Sequence, residues 1–185
     1  RVVHEHEQAN LLWCCDLLDD RLKRIKRLYP YVKTTNNLDE LVNDNSVELV
    51  IIAVPAIHHF EIARKLITSG KHILVEKPLT SSVKHAMKLA ELAQKTQRSL
   101  MVDHTFIFNP AIQKIKLLIK NGSIGKIHYG YGDYTALGPI RSDVSALWDL
   151  STHFLYTITY LLEKQPISIV ASGRAFLNPK IDDVA

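Results

Sequence analysis

Short apolar runs and amphipathic stretches alternate along residues 11–103. Residues 11–15 read as a strand, Asp19–Leu28 as a helix, 31–35 as a short strand and Leu38–Asn43 as a short helix. Residues 49–54 form an unbroken apolar run that ends at Pro55. Ile62 and Leu66 mark a helix that Gly70 stops, since glycine readily adopts the left-handed conformation closing a helix. Ile73-Leu74-Val75 is the next strand. A helix over 82–97 then places Val83, Ala86, Met87, Ala90 and Ala93 on one face, and 100–102 is the last strand of the series. Repeated β-α units with continuous apolar strands predict an α/β fold: a doubly wound parallel sheet covered on both faces.

Beyond residue 106 the pattern changes. A helix over 111–120 carries Ile112, Ile115, Leu118 and Ile119 inward and ends at Asn121-Gly122. Residues 125–137 read as a long strand, 149–162 as a helix and 167–176 as another strand. Long strands separated by helices predict part of an α+β domain with an open sheet. The chain therefore divides into residues 1–106 and 107–185.

Composition narrows the function classes. Of 185 residues 46% are hydrophobic and 23% charged, as in an ordinary soluble globular protein. The net charge of +4 comes from 23 basic and 19 acidic residues that intermingle. The densest basic run, Lys23, Arg24, Lys26 and Arg27, follows Asp19 and Asp20 on a predicted helix without interleaved aromatics. It reads as a solvated face, not a nucleic-acid patch. No apolar stretch has the length of a membrane span and no signal peptide opens the chain, so no membrane partner is expected. Cys14 and Cys15 are adjacent on a predicted strand and point to opposite faces, which disfavours a disulfide between them. A reducing, cytoplasmic compartment is the expectation. His58, His59, His104 and His153 show no metal-ligand spacing, and no metal is expected.

The candidate chemistry lies at strand ends. Val75-Glu76-Lys77-Pro78 closes a buried strand, and open α/β sheets bind ligands at the carboxyl edge of their strands. Alone, the same residues are also a charged turn. Asp16 ends the first strand, where dinucleotide-binding sheets carry an acid that accepts the adenosine ribose hydroxyls. Alone, it is equally the polar end of a strand. The glycine-rich phosphate loop of such sheets lies about 20 residues before that acid. Here the first glycine is Gly70, and the Gly130-Tyr131-Gly132 run lacks a third glycine and lies in a predicted strand. The first strand and its loop are therefore expected to be absent, leaving strands 11–15 and 49–54 without their shared neighbour. Asp149 and His153 are spaced i to i+4 on a helix, on one face. Such a pair is either a surface contact or a carboxylate-oriented imidazole suited to acid–base work.

Together these residues resemble the Gfo/Idh/MocA oxidoreductases, the glucose–fructose oxidoreductase and inositol dehydrogenase family. The resemblance runs through Val50-Ile-Ile-Ala-Val-Pro55, His59 with Glu61-Ile62-Ala63, and Gly70-Lys-His-Ile-Leu-Val-Glu76-Lys77-Pro78. It continues through Asp103-His-Thr-Phe-Ile-Phe-Asn109-Pro110, Gly122-Ser-Ile-Gly125 and Trp148-Asp149-Leu-Ser-Thr-His153. It implies that residues 1–106 are a Rossmann dinucleotide-binding domain lacking its first strand. Residues 107–185 would then be part of a substrate and oligomerisation domain.

By the same resemblance Lys77, Asp149 and His153 are catalytic, with His153 the acid/base and Lys77 touching both nicotinamide ribose and substrate. Asp16, Val54, Pro55, His59, Glu76 and Lys77 would contact the cofactor, and Asn109 and Arg141 the substrate. The charge of Asp16 favours NAD over NADP. The implied reaction moves hydride from a secondary hydroxyl of a sugar or sugar derivative, nucleotide-linked sugars included, to the nicotinamide. A homo-oligomer is expected by analogy. Two features depart from the pattern: the glycine loop is missing, and Ser151 stands where many members have glycine. The alternative reading is a non-catalytic fragment or binding protein of the same fold, inactive because that loop is absent.

Overall fold

The structure, a computed structural model, describes residues 1–135 and 143–185. In chain order its elements are α1 (Val2–Glu5), β1 (Trp13–Cys15), α2 (Asp19–Leu28), β2 (Lys33–Thr35), α3 (Leu38–Asn43) and β3 (Leu49–Ile52). There follow α4 (His59–Thr68), β4 (His72–Glu76), α5 (Val83–Thr96), β5 (Leu100–Asp103), α6 (Pro110–Lys120) and α7 (Ala146–Leu162). Short 3-10 turns occupy Ala56–His58 and Thr105–Phe108.

All strands of the first half pair in parallel, as expected of β-α units. β3, β4 and β5 form one sheet in that order, with Ile52, Val75 and Val102 in register, while β1 and β2 form a separate pair. Among the described residues no strand bridges β1 and β3, the gap that the missing first strand predicts. The two parts are joined instead around α3. Asp44, after its last turn, accepts the Trp13 indole N–H of β1 at 2.8 Å through Oδ2 and the Lys71 ammonium at 2.7 Å through its carbonyl. The Ser46 hydroxyl, followed by the indole, holds the Asp44 carboxyl well below the usual carboxylate range.

The core lies on one face of the three-stranded sheet. Ile52, Ile73 and Val75 meet Ala63, Leu66 and Ile67 of α4 and Leu89 and Ala93 of α5. Full burial of Leu66, Ile67, Ile73 and Leu89 stabilises by about 1.5–3 kcal/mol per side chain. The other face differs from expectation. Ile51, Leu74 and Met101 are in register there, and Ile51 and Met101 are each 47% exposed, so among the described residues that face is only half covered. Continuous apolar strands specify two buried faces but not what covers them.

Helix boundaries follow local chemistry. The Ser82 hydroxyl accepts the His85 N–H at 3.2 Å and starts α5, and Gly70, at φ +85°, ends the turn after α4. In the second half, the expected strands over 125–137 and 167–176 do not form among the described residues. Residues 126–135 have no regular structure, and 167–176 contributes only the antiparallel bridge between Arg174 and Val184. A segment becomes a strand only when a neighbour takes up its backbone N–H and C=O groups along its length, and among the described residues only Arg174 finds such a partner.

Candidate active site

The carboxyl ends of β4 and β5 and the first turns of α7 converge. β4 ends at Glu76, in register with Asp103 of β5, and Lys77 extends from that tip before a cis peptide to Pro78. The Lys77 Nζ donates to Asp149 Oδ1 at 2.7 Å and to the Asp149 carbonyl at 2.9 Å. Both side chains are only 17% exposed, which separates this pair from the solvent-screened ion pairs elsewhere on the surface. Trp148 adds a second tie, its indole N–H donating to the Thr80 carbonyl at 2.9 Å. Ser145 caps α7 by accepting the Trp148 N–H at 3.2 Å. The start of α7 is thus fastened to the segment after β4 by two side chains.

His153 lies one helical turn beyond Asp149, as the spacing predicts, but its orientation comes from elsewhere. Its ring stacks on Phe106 at 4.5 Å between centroids and 18° between planes, with Tyr134 at 6.3 Å. The Nδ1 atom is buried and has no hydrogen-bond partner. The carboxylate of Asp149 is directed to Lys77, so the expected Asp–His orientation is replaced by a Lys–Asp pair beside a ring-stacked imidazole. Burial, followed by the Lys77 charge, pushes the His153 pKa below its ordinary value, against the opposing pull of Asp149 and Asp103. His104, directly after β5, is lowered likewise by burial and then by His153.

The remaining expected positions divide. Asp16 sits at the end of β1, where its Oδ1 accepts the Leu18 N–H at 2.9 Å and its Oδ2 the Arg21 guanidinium at 3.1 Å. The Leu18 N–H, with Arg21, lowers the Asp16 pKa. Val54 and Pro55 are exposed just past β3. His59 is 1% exposed, and its Nδ1 and Nε2 lie 2.9 and 2.8 Å from the carbonyls of Pro78 and Val54. It therefore clips the loop after β3 to the loop after Lys77 and offers no free nitrogen to a ligand. Asn109 is the N-cap of α6, accepting the Ala111 N–H at 2.8 Å. Arg141 lies outside the described residues.

Sequence reasoning gave no site role to His104, Phe106, Trp148 or Tyr156, although the first three lie in the runs that carry the resemblance. Only the indole next to Asp149 carried a signal, since a tryptophan at a helix start commonly seeks a partner for its N–H. Among the described residues no three His, Cys, Asp or Glu side chains are grouped to hold a metal ion, and no helix is long and apolar enough to cross a membrane.

Residues 1–104 match the model of an oxidoreductase family with an NAD-binding Rossmann fold. The scyllo-inositol 2-dehydrogenase (NAD(+)) of Bacillus subtilis is 30% identical over 176 residues, covering 92% of this chain and 52% of that protein. The scyllo-inositol 2-dehydrogenase (NADP(+)) IolW of the same organism is 30% identical over 132 residues, covering 71% and 36%. The solved structure of the oxidoreductase yvaA from Bacillus subtilis superposes with a TM-score of 0.76 at 26% identity, over 86% of this chain and 47% of that one. The chain spans from about a third to about half the length of these curated relatives. With its parallel sheet and the Lys77–Asp149–His153 cluster at the sheet's rim, the chain belongs to the Gfo/Idh/MocA oxidoreductase family.

Proposed function

We propose that the protein oxidises a secondary hydroxyl of a sugar or sugar derivative with NAD as acceptor. The observation that carries this reading is the contact of Lys77 Nζ with Asp149 at 2.7 Å, with His153 one turn further along the same helix. The residues present fit a dinucleotide along the carboxyl ends of parallel strands. Asp16 would hold the adenosine ribose, Val54 and Pro55 would lie along the middle of the cofactor, and Glu76 and Lys77 would contact the nicotinamide ribose. The ionised Asp16 repels a 2′-phosphate, which favours NAD, although Arg21 offsets part of that charge. A bound nicotinamide would supply the hydride acceptor.

The protein's own groups handle the proton. As the substrate C–H bond breaks and its electron pair leaves as hydride, the O–H bond breaks and C=O forms. The hydroxyl proton passes to His153, whose low pKa keeps the ring neutral and able to accept it at neutral pH. Nδ1 is buried without a hydrogen-bond partner, which leaves Nε2 as the nitrogen that would receive it. The Lys77 ammonium stabilises the developing negative charge on oxygen, and Asp149 holds that ammonium in place.

In a form that turns over, Lys77→Ala and His153→Ala should each lower the rate by about 10²–10⁴ while leaving the fold intact. Unchanged rates in either variant would remove that residue from the mechanism. A second reading, that these 185 residues bind cofactor poorly by themselves, is favoured by the unbridged gap between β1 and β3. Titration of NAD into this chain and into one lengthened upstream by a strand and glycine-rich turn separates the two. Equal affinity would discard the second reading.

A further inference from the structure

Two ring stacks join the tip of β5 to α7, and they share neighbours in both segments. His104 lies flat against Tyr156, with centroids 3.7 Å apart and planes within 7°. Phe106, two residues on, lies against His153 at 4.5 Å and 18°. On the helix side, His153 and Tyr156 are spaced i to i+3 and so occupy one face of α7. On the strand side, His104 and Phe106 are fixed by a tight turn: the His104 N–H donates to the Val102 carbonyl at 2.9 Å, and the His104 carbonyl accepts the Ile107 N–H at 3.2 Å. The two stacks are therefore rungs of one ladder between a stiff turn and a helix.

We propose that His104 is a positioning residue for His153. Resting on the redox reading of the site, this assigns His104 no contact with substrate or cofactor. Its ring, seated on Tyr156, sets the rotation and height of α7 so that the His153 imidazole settles on Phe106. In that pose Nδ1 of His153 is buried without a hydrogen-bond partner. The Lys77–Asp149 and Trp148–Thr80 ties fix the start of the helix, but neither acts beyond its first turn. Lys116 of α6 holds the other end of α7, donating to the Tyr160 carbonyl at 2.9 Å and pairing with Glu163 at 2.8 Å, so between the two fastened ends the His104–Tyr156 rung is what resists a twist that would carry His153 off Phe106. The buried Nδ1 of His104 has no hydrogen-bond partner, which agrees with a ring retained for its flat face.

The test reads the His153 ring by NMR in the 185-residue chain, its signals being those lost in His153→Gln. Stacking on Phe106 displaces these ring protons upfield. In His104→Ala that displacement should be lost, and in His104→Phe, which keeps a flat ring, it should be retained. Tyr156 is 39% exposed, so Tyr156→Leu gives a second disruption with little risk to folding, and Tyr156→Phe is its conservative counterpart. Amide signals of β3–β5 report whether the core is unchanged. His153 signals that stay put in both His104→Ala and Tyr156→Leu would overturn the proposal, as would a His104→Phe spectrum matching that of His104→Ala. Because the readout needs no cofactor or turnover, failure to find any oxidised sugar would leave this result standing, and the reverse also holds.

Discussion

At the scale of single residues, the site depends on where one positive charge is spent. Lys77 is bound by Asp149 yet still lowers the His153 pKa, second only to burial. Replacing Lys77 by Met removes that cation and its pairing with the Asp149 carboxylate, and both changes favour the imidazolium. The His153 titration midpoint should therefore rise toward 6.5 from below, as followed by NMR across pH 4–8. A midpoint that falls would mean that Lys77 does not act on His153 through its charge. The same lowered values have a consequence for folding. His153 and His104 bind protons less readily folded than unfolded, so between their folded values and about 6.5 the unfolded chain holds more protons. Their contribution to stability is complete above about pH 6.5 and declines as pH falls through that window.

At the scale of elements, the sequence is legible where one periodic face meets one core. α4 is placed by Ile62, Leu66 and Gly70, and Leu66 is fully buried against the β3–β5 sheet. Leu66→Ala should cost about 2–5 kcal/mol in chemical unfolding. Ser82→Ala, which removes only the cap of α5, should cost about 1 kcal/mol. A reversed order would show that the packed face of α4 is not the main support of the sheet. The same reasoning fails over 125–137 and 167–176, which the sequence predicts as strands. Alternation states which face would be buried, but a strand exists only with a neighbour to complete its hydrogen bonds, and that neighbour is not encoded locally. The i to i+4 spacing of Asp149 and His153 placed both on one face of α7, yet it could not reveal that Asp149 turns to Lys77 and His153 to Phe106. Those partners come from segments far away in the sequence, and only the fold brings them together.

At the scale of the whole molecule, two parallel sheets stand where one continuous sheet would serve the site better. Asp16 lies on one side of the gap and Lys77 on the other, so any ligand reaching both depends on how firmly β1 and β3 are held relative to one another. In these residues that hold rests on α3 and on Asp44, through Trp13 and Lys71, and not on a sheet ladder. Unpaired backbone groups on the facing edges of β1 and β3 exchange with water far more readily than those of β4, which is paired on both sides. Amide hydrogen exchange should accordingly show β4 slowest and β1 and β2 fastest. A chain lengthened by one apolar strand able to enter the gap should slow β1 and β3 selectively, with β4 little changed, and should raise the thermal midpoint. Uniform slowing across all five strands would point to general tightening instead. Unchanged exchange in β1 and β3 would show that the gap is not a strand site, and the family's continuous sheet would then be the wrong frame for this chain.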